Sequence, residues 1–454
     1  MQYFSTIVVG IMTAFALVGI IDQLFLKNRL GLGAEFQRGI EMIGPLCLAI
    51  VGIIALVPEM KWGIEHTLTP LYRTLGLDPS MAVTSILAID MGGYQLAESV
   101  AIDPLIGQWA GIVYGSMMGA TIVFTIPVGL AAIGKQDVAA FSKGVLYGIA
   151  AIPIGTFVGG LVMGIPVGTV ALNLIPPVIF SVIIIVCLAL WPGKTTAVFR
   201  VFSVIINIIA MLGLGLAMVK DLILVPIAGN GAFDLDSVPF FGSLGSTAEG
   251  IGVAGSVGLV LAGALPFVYC LNKWLKKPLG SLSRRFGLTD AGVTGFLLSS
   301  ANNMAMFATM SKMKEKEKIL NTAFAVCAAF IIGDHLAFTA ANDPSCIAPM
   351  MLAKAISGVT AVAIAALFNR TKDTENKNPE SSEITNGEEK RQDMNLICFI
   401  RYATKERKAY ASLPSSPAHR SASSAKSCAN LPTADILMLQ ASLMRDIRRL
   451  SLIT

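Results

Sequence analysis

Residues 81–100 read MAVTSILAIDMGGYQLAESV, and residues 291–310 read AGVTGFLLSSANNMAMFATM. Each stretch has the length of a membrane-spanning helix, which needs about 20 mostly apolar residues. Each is nevertheless interrupted at its middle by Gly, Asp, Ser or Asn. Two interpretations follow. The stretch is either a kinked spanning helix with a polar residue in its core, or a re-entrant hairpin of two half-helices that meet near the membrane midplane.

The surrounding sequence is typical of a polytopic membrane protein. Of its 454 residues, 54% are apolar and only 14% are charged, with a mean hydropathy of +0.70. A soluble globular domain carries about 25% charged residues. The net charge of +5 is small and is distributed over loops, which argues against a nucleic-acid partner. Nine further apolar stretches lie near residues 5–26, 40–58, 108–133, 142–168, 172–192, 200–219, 251–271, 319–340 and 350–369.

The distribution of Lys and Arg favours hairpins, because these residues concentrate in cytoplasmic loops. If both interrupted stretches are hairpins, 16 of the 19 loop Lys and Arg residues lie on one side, and only Lys61, Arg73 and Lys220 lie on the other. A single hairpin at 291–310 already gives 15 against 4, so charge supports only the second hairpin. The two-hairpin topology predicts an N-terminus outside and a C-terminus in the cytoplasm.

A weak internal repeat supports the first hairpin as well. The run that begins at Leu75 aligns with the run that begins at Phe286 after a gap of one residue, with five identities. In the two-hairpin topology the equivalent helices are inverted, as in many secondary transporters. We therefore predict an all-α polytopic membrane protein of about nine spanning helices and two re-entrant or broken hairpins. Repeat 1 would cover about residues 1–170, and repeat 2 about residues 195–370.

The composition changes at Arg370. Residues 371–454 are mostly polar, and their short apolar run LICFI at 396–400 is far below the ~20 residues that a span requires. Such a segment cannot bury a core of its own. We expect residues 1–370 to form the transmembrane transporter domain, and the remainder to be a disordered cytoplasmic tail without a part in function.

Asp90 lies in the middle of the first interrupted stretch, and Met91, Gly92, Gly93 and Tyr94 follow it. An ionisable group inside a membrane is expensive, so it marks a candidate site. Adjacent glycines let the backbone turn and approach a ligand closely, and a tyrosine ring can face a cation. Alternatively, Asp90 caps the second half-helix through backbone amides. The two roles are compatible.

The second interrupted stretch carries Ser299, Ser300, Asn302 and Asn303 at its middle. These neutral groups both donate and accept hydrogen bonds, so they suit a hydroxyl or an ammonium group. Helix capping alone is the alternative interpretation. We predict substrate-binding roles for Asp90, Gly92, Gly93, Tyr94, Ser300, Asn302 and Asn303.

Asp334 and His335, near the end of the stretch 319–340, place an acid directly beside a histidine in an apolar segment. The pair predicts either a proton relay or a satisfied pair near the lipid headgroups. We expect Asp334 to lie nearer one face of the membrane and Asp90 to lie nearer the midplane.

The sequence predicts neither a cofactor nor a metal site. Its seven cysteines are scattered without metal-ligand spacing, and they are interpreted as small buried hydrophobic residues. Phosphate-binding, zinc-protease, serine-hydrolase and calcium-loop motifs are all missing from it. We therefore expect no enzyme activity and no ATP-driven transport.

Three runs of the chain resemble EutH, the family of permeases of the bacterial ethanolamine utilisation system. They are GLGAEFQRGIEMIGPLCLAIVGIIALVPEM (31–60), SILAIDMGGYQLAESVAIDPLIGQWAGIVYGSMMGATIVFTIPVGL (85–130) and GFLLSSANNMAMFATMSKMKEKEKILNTAFAVCAAFIIGDHLAF (295–338). The most specific motifs are AIDMGGYQLA at 88–97 and SSANNMAM at 299–306. The resemblance covers about residues 1–370. It implies a multi-pass protein of the bacterial inner membrane, surrounded by membrane lipids, that admits ethanolamine for catabolism.

These observations together predict a permease that imports ethanolamine and binds it where the two hairpin tips meet. Asp90 would balance the ammonium charge, Tyr94 would cover it, and Asn302 and Asn303 would bind the hydroxyl. The sequence is also compatible with a homo-oligomer.

Three alternatives stay open. One is an ion-coupled secondary transporter of another small amine or an amino acid. Another is a sensor without transport activity. The third is a membrane-embedded hydrolase that uses Asp90, or Asp334 with His335, on a lipid headgroup. A hydrolase needs two catalytic groups at one depth, which the expected positions of Asp90 and Asp334 do not provide.

Overall fold

The structure is a computed structural model, and it describes residues 2–231, 233–238, 240–286 and 288–369. Within these ranges the chain forms helices and turns and contains no strand. The predicted polar tail, residues 371–454, lies outside the described residues.

The helices follow one another closely along the chain. They are α1 (Gln2–Phe25), α2 (Leu32–Glu41), α3 (Ile43–Thr74), α4 (Ser80–Thr84), α5 (Tyr94–Val100), α6 (Pro104–Gln108), α7 (Ile126–Ala132), α8 (Val138–Val162), α9 (Val167–Asn173), α10 (Ile175–Leu190), α11 (Pro192–Val219), α12 (Val225–Gly229), α13 (Thr247–Phe286), α14 (Asp290–Ala301), α15 (Asn303–Phe307), α16 (Glu315–Ala328), α17 (Asp334–Asn342) and α18 (Ile347–Phe368). The π-helical segments Trp109–Gly119 and Thr121–Thr125 join α6 and α7 into one long helix.

Eight helices in the described part of the chain are long and apolar enough to cross a membrane. They are Tyr3–Phe25, Leu32–Thr74, Pro104–Ala132, Lys135–Val162, Val167–Leu190, Pro192–Gly229, Thr247–Leu275 and Pro344–Phe368. Large apolar side chains face outward from them. On α10, for example, Ile179, Ile183 and Val186 lie on one helical face and are about half exposed. Such a face suits lipid and not water, so the chain is an all-α polytopic membrane protein.

The first interrupted stretch returns to the level at which it begins. Its half-helices α4 and α5 are separated by a turn at Ile89–Gly93. The buried carboxylate of Asp78 accepts hydrogen bonds from the backbone amide of Ser80 at one end (2.9 Å) and of Ile102 (2.8 Å) and Asp103 (3.0 Å) at the other. We call residues 78–103 the first hairpin, because its two ends are bound to one carboxylate.

Glu317 performs the same task for the second interrupted stretch. This buried carboxylate accepts hydrogen bonds from the backbone amide and hydroxyl of Thr289, before α14, and from the backbone amide of Lys314, beyond α15 (2.9 Å). We call residues 289–314 the second hairpin. In the alignment of the proposed repeat, Thr289 stands opposite Asp78. The two clasps therefore join the ends of the two aligned stretches, and the inverted repeat stays a prediction.

The stretch 319–340 is a broken helix, and the expectation of a continuous span there is wrong. Helix α16 ends at Ala328, and α17 begins at Asp334. Between them, the backbone amides of Phe330 and Ile332 donate to the carbonyls of Ser299 and Ser300, both at 3.0 Å. We call residues 329–333 the α16–α17 break. Its backbone binds the tip of the second hairpin instead of continuing the helix.

The Glu317 clasp predicts a large stability difference between two neighbouring acids. Glu317→Ala removes the acceptor of three donors inside the protein, which should cost about 3 kcal/mol of unfolding free energy. Glu315→Ala changes an exposed residue on the same turn and should cost less than about 0.5 kcal/mol. Thermal unfolding of the two variants in detergent measures the difference, and equal midpoints would contradict the role of the clasp.

Candidate functional site

A cavity of about 540 Å³ lies where the two hairpin tips and the α16–α17 break meet. Asp90 lines it from the first hairpin and Asn302 from the second, while Asp334 and His335 line it from the start of α17. Its apolar walls include Met42, Met91, Phe124, Leu261, Leu265, Phe330 and Val268. Two regions that the sequence indicated separately, the hairpin tips and the acid–histidine pair, therefore face one space.

Asp90 and Asp334 line the same cavity, and their carboxyl groups lie within reach of each other. Two carboxyl groups in contact cannot both ionise without strong repulsion, so such a pair shares one proton and carries one negative charge. Asp334 Oδ1 is buried, and no amide, hydroxyl or amine of the described residues donates to it. Among the described residues, only the carboxyl group of Asp90 is therefore left to share a proton with this oxygen.

The expectation that Asp334 lies nearer a membrane face than Asp90 is wrong. An unbroken helix over 319–340 would have carried Asp334 away from the midplane, at 1.5 Å per residue. The break at residues 329–333 stops that advance at the tip of the second hairpin. Asp334 consequently begins α17 beside Asp90.

A buried lysine contacts His335, the residue that follows Asp334. The side chain of Lys354, on α18, is fully buried, and its Nζ donates to the carbonyl oxygen of Ser116 at 2.6 Å. The same Nζ lies 3.1 Å from His335 Nδ1. If Lys354 is charged, its ammonium group can only donate, so His335 Nδ1 would accept and the histidine proton would lie on Nε2.

Sequence reasoning did not select Lys354. The signal was available, because this is a lysine inside the apolar run MLAKAISGVT at 351–360. An ionisable residue within a spanning segment marks a site by default. It was overlooked because the rest of the segment is typical of an ordinary spanning helix.

Gly92 and Gly93 shape the turn that presents Asp90 and do not line the cavity. Gly92 has φ +75, a conformation that favours glycine. A Cβ atom on Gly92 would lie 2.2 Å from Ile53 Cγ2, and one on Gly93 would lie 2.4 Å from the Ala88 carbonyl oxygen. The glycines therefore give room to neighbouring protein atoms, whereas we expected them to give room to a ligand.

Tyr94 also lies outside the cavity lining. Its hydroxyl donates to Glu98 Oε1 at 2.7 Å, and its ring packs edge-on against Phe338 with centroids 6.0 Å apart. The aromatic residues that line the cavity are Phe124, Tyr269 and Phe330.

The three predicted residues of the second hairpin have different surroundings. Asn302 lines the cavity, and its Oδ1 accepts from the backbone amide of Met304 at 2.8 Å, so it caps α15. Asn303 is buried and donates from Nδ2 to Thr125 Oγ1 at 3.1 Å. Ser300 lines a second, apolar pocket of about 620 Å³ together with Lys316. Only Asn302 of the three therefore reaches the Asp90 cavity.

A metal ion has no evident place in this site. Among the described residues, no group of three His, Cys, Asp or Glu side chains is arranged to hold one. The chemistry that the site offers is hydrogen bonding and charge compensation, from a carboxyl pair, an amide and an imidazole.

Hairpins and broken helices that meet at a polar cavity are found in secondary transporters. The family model described as "Ethanolamine utilisation protein, EutH" matches residues 4–368. The chain belongs to this family, as the resemblance of its sequence motifs predicts.

Named relatives cover most of the chain. "Probable ethanolamine permease EutH" of Listeria monocytogenes serotype 1/2a (strain 10403S) is 38% identical over 380 residues, which are 84% of this chain and 98% of the relative. The protein of the same name in Escherichia coli (strain K12) is 36% identical over 397 residues, 80% of this chain and 95% of the relative. "Uncharacterized protein YxeR" of Bacillus subtilis (strain 168) is 36% identical over 362 residues, 79% and 93% of the two chains. No solved structure matches the chain.

The packing of Gly92 predicts a strong effect of a single methyl group. Gly92→Ala meets both an unfavourable φ and the side chain of Ile53, so the turn must shift and displace Asp90. Gly164 has φ +86 but open space around it, so Gly164→Ala adds only a backbone cost of about 1 kcal/mol. We expect uptake of labelled ethanolamine to be lost in Gly92→Ala and kept in Gly164→Ala. Equal uptake by both variants, at equal membrane levels, would show that the turn does not position the site.

Proposed function

We propose that the protein is a permease that imports ethanolamine across the bacterial inner membrane and binds its ammonium group at the Asp90–Asp334 pair. The observation that carries the proposal is this pair of contacting carboxyl groups, open to a cavity inside a polytopic helical protein. A buried carboxyl pair calls for a cation, and the names of the relatives supply a small organic one.

The cavity suits both ends of ethanolamine. An ammonium group offers three donors, and Asp334 Oδ1 is a buried acceptor that lacks one. Asn302 Nδ2 has no acceptor among the described residues, so the amide is available to the substrate hydroxyl. The apolar walls at Phe124 and Phe330 exclude water from the short carbon chain.

The direction of opening follows from charge. Arg38 and Asn272 line the cavity. Arg38 lies near the end of α2 and Asn272 near the end of the apolar part of α13, on the side that the Lys/Arg distribution assigns to the cytoplasm. Glu35, one turn before Arg38, pairs with it at 3.8 Å. Tyr94 and Phe338, whose rings pack edge-on, do not line the cavity. We infer a cavity that is open to the cytoplasm, from which bound ethanolamine is released.

A membrane-embedded hydrolase is the second candidate. The sequence argued against it because Asp90 and Asp334 were expected at different depths in the membrane. Asp90 and Asp334 are in contact, so two acidic groups do lie at one depth. The permease names of the relatives favour transport over hydrolysis. An ion-coupled carrier of another small amine would use the same cavity. Uptake of several labelled amines, measured beside release of lipid headgroups, distinguishes these functions.

Asp90→Asn tests the role of the charge. The substitution keeps the size of the side chain but leaves a bound ammonium facing only one carboxyl group and the buried cation of Lys354. We expect uptake at about pH 6 to fall roughly a hundredfold, since an uncompensated buried charge costs several kcal/mol. Neutral ethanolamine crosses a bilayer unaided, and its fraction falls about tenfold per pH unit, so acid isolates the carrier.

The matched control for this substitution is Asp103→Asn. Asp103 is exposed at the end of the first hairpin, where its Oδ1 accepts from the backbone amide of Leu105 at 2.9 Å, and an Asn oxygen replaces that acceptor. This control should transport ethanolamine at the wild-type rate. Full acid-pH uptake by a properly inserted Asp90→Asn protein would remove Asp90 from the binding site.

The proposed orientation predicts opposite labelling of the two ends of the transmembrane region. A cysteine at Gln2 should react with a membrane-impermeant thiol reagent in intact spheroplasts, and a cysteine at Asn369 should react only after lysis. The parent protein gives the background from its own cysteines. Labelling of the Gln2 position only after lysis would contradict both the inverted repeat and the opening toward the cytoplasm.

A further inference from the structure

The buried charges beside the cavity balance one another. The Asp90–Asp334 pair with its shared proton carries one negative charge. We take Lys354 as a charged ammonium group, because its Nζ lies within hydrogen-bonding distance of two acceptor atoms, the Ser116 carbonyl oxygen and His335 Nδ1. With a neutral His335, the empty cluster of Asp90, Asp334, His335 and Lys354 therefore sums to zero. Neutrality matters because a net charge inside a membrane is expensive.

The other ionisable groups around the cluster leave this sum unchanged. Glu35 and Arg38 line the same cavity and neutralise each other as a pair. Tyr269 also lines the cavity and adds no formal charge. On α16, the Cys327 thiol donates to the Gly148 carbonyl at 3.2 Å.

Two further acids are Glu98, on α5, and Asp343, directly after α17. The exposed Glu98 accepts from the Tyr94 hydroxyl, and Asp343 accepts from the backbone amide and hydroxyl of Ser345. Neither acid lines the cavity. The charge of the site is therefore set by the four residues of the cluster.

We propose that an organic ammonium ion that binds to this cluster expels the proton shared by Asp90 and Asp334, so that one proton is exchanged for one ammonium ion. The proposal rests on the proposed function. In the exchange, the carboxyl O–H bond breaks, the proton passes to water in the cavity, and both carboxylates then face cations. These cations are the bound ammonium and Lys354, and the occupied cluster is again neutral.

Lys354 sets this stoichiometry. With Lys354 present, a bound ammonium would give the cluster a net positive charge unless the shared proton leaves. Without the lysine, the empty pair with its single shared proton carries one negative charge, which water in the cavity must stabilise. A bound ammonium then brings the sum to zero, so no proton need leave. With Lys354 present, the site thus releases a proton whenever it binds an ammonium ion. The site then has the same net charge with and without bound ammonium. The membrane potential therefore does not favour movement of the loaded site over movement of the empty one.

The exchange is measured on the purified full-length protein in detergent. Ethanolamine hydrochloride is titrated into weakly buffered protein at about pH 6, with a pH indicator for protons and calorimetry for binding. We expect about one proton released per ethanolamine bound. The apparent Kd should fall about tenfold per pH unit while the pair still holds its proton. Ethylene glycol, a neutral ligand of similar size, should release none.

Lysine variants isolate the role of Lys354. Lys354→Met should bind ethanolamine while releasing close to no proton, with an apparent Kd that no longer follows pH. Lys316→Met, which changes an exposed lysine at the second pocket, should keep the wild-type proton release. If Lys354→Met does not fold, the comparison of ethanolamine with ethylene glycol on the wild type still decides the stoichiometry.

The outcomes separate this proposal from the proposed function. Ethanolamine binding by the wild type without proton release would overturn the exchange and leave the permease in place. Equal proton release from the wild type and a folded Lys354→Met would overturn the role of the lysine. Absence of ethanolamine binding and uptake together would overturn the proposed function itself.

Discussion

The carboxyl groups of Asp90 and Asp334 lie side by side in an apolar surrounding, and the hairpins and helices around them must hold them there. Asp90 and Asp334 are separated by more than two hundred residues, and the repulsion between two ionised carboxylates would drive them apart. They stay together only with a shared proton or a bound cation. Such a pair at the edge of a cavity is suited to bind a cation. In our proposal, the pair holds a proton when no cation is bound.

The surrounding architecture holds the pair in place through backbone rather than through side-chain packing alone. The Asp78 and Glu317 clasps fix the ends of the two hairpins, so each tip is held at a set distance from its clasp. The α16–α17 break then binds the second tip through two backbone hydrogen bonds at 3.0 Å. Because an unpaired backbone group inside a membrane is costly, these bonds leave the broken segments few alternative arrangements.

Sequence patterns predicted the parts of this arrangement that have a local signature. The two interrupted apolar stretches stood out by their Gly, Asp and Asn residues, and Asp90 and Asn302 both line the cavity. The motifs that resemble EutH also agree with the family model. The fold class followed from composition, because hydropathy over about 20 residues is a strong signal for a span.

The remaining features depend on contacts that local patterns do not encode. Hydropathy made 319–340 a single span, since the break at 329–333 is itself apolar and is stabilised by carbonyls of the second hairpin. Tyr94 turned away because Glu98, one helical turn later, accepts its hydroxyl. Lys354 was visible as a residue but not as a partner, because His335 and Ser116 reach it only through tertiary packing.

We propose that ethanolamine binds between the two carboxyl groups. Electron cryomicroscopy structures with and without ethanolamine would show whether it does. We expect ligand density within about 3 Å of both Asp90 and Asp334, with the hydroxyl end toward Asn302. We also expect the two carboxyl groups to lie in contact in the empty protein. Ligand density elsewhere in the protein, or carboxyl groups far apart in both states, would contradict the proposal.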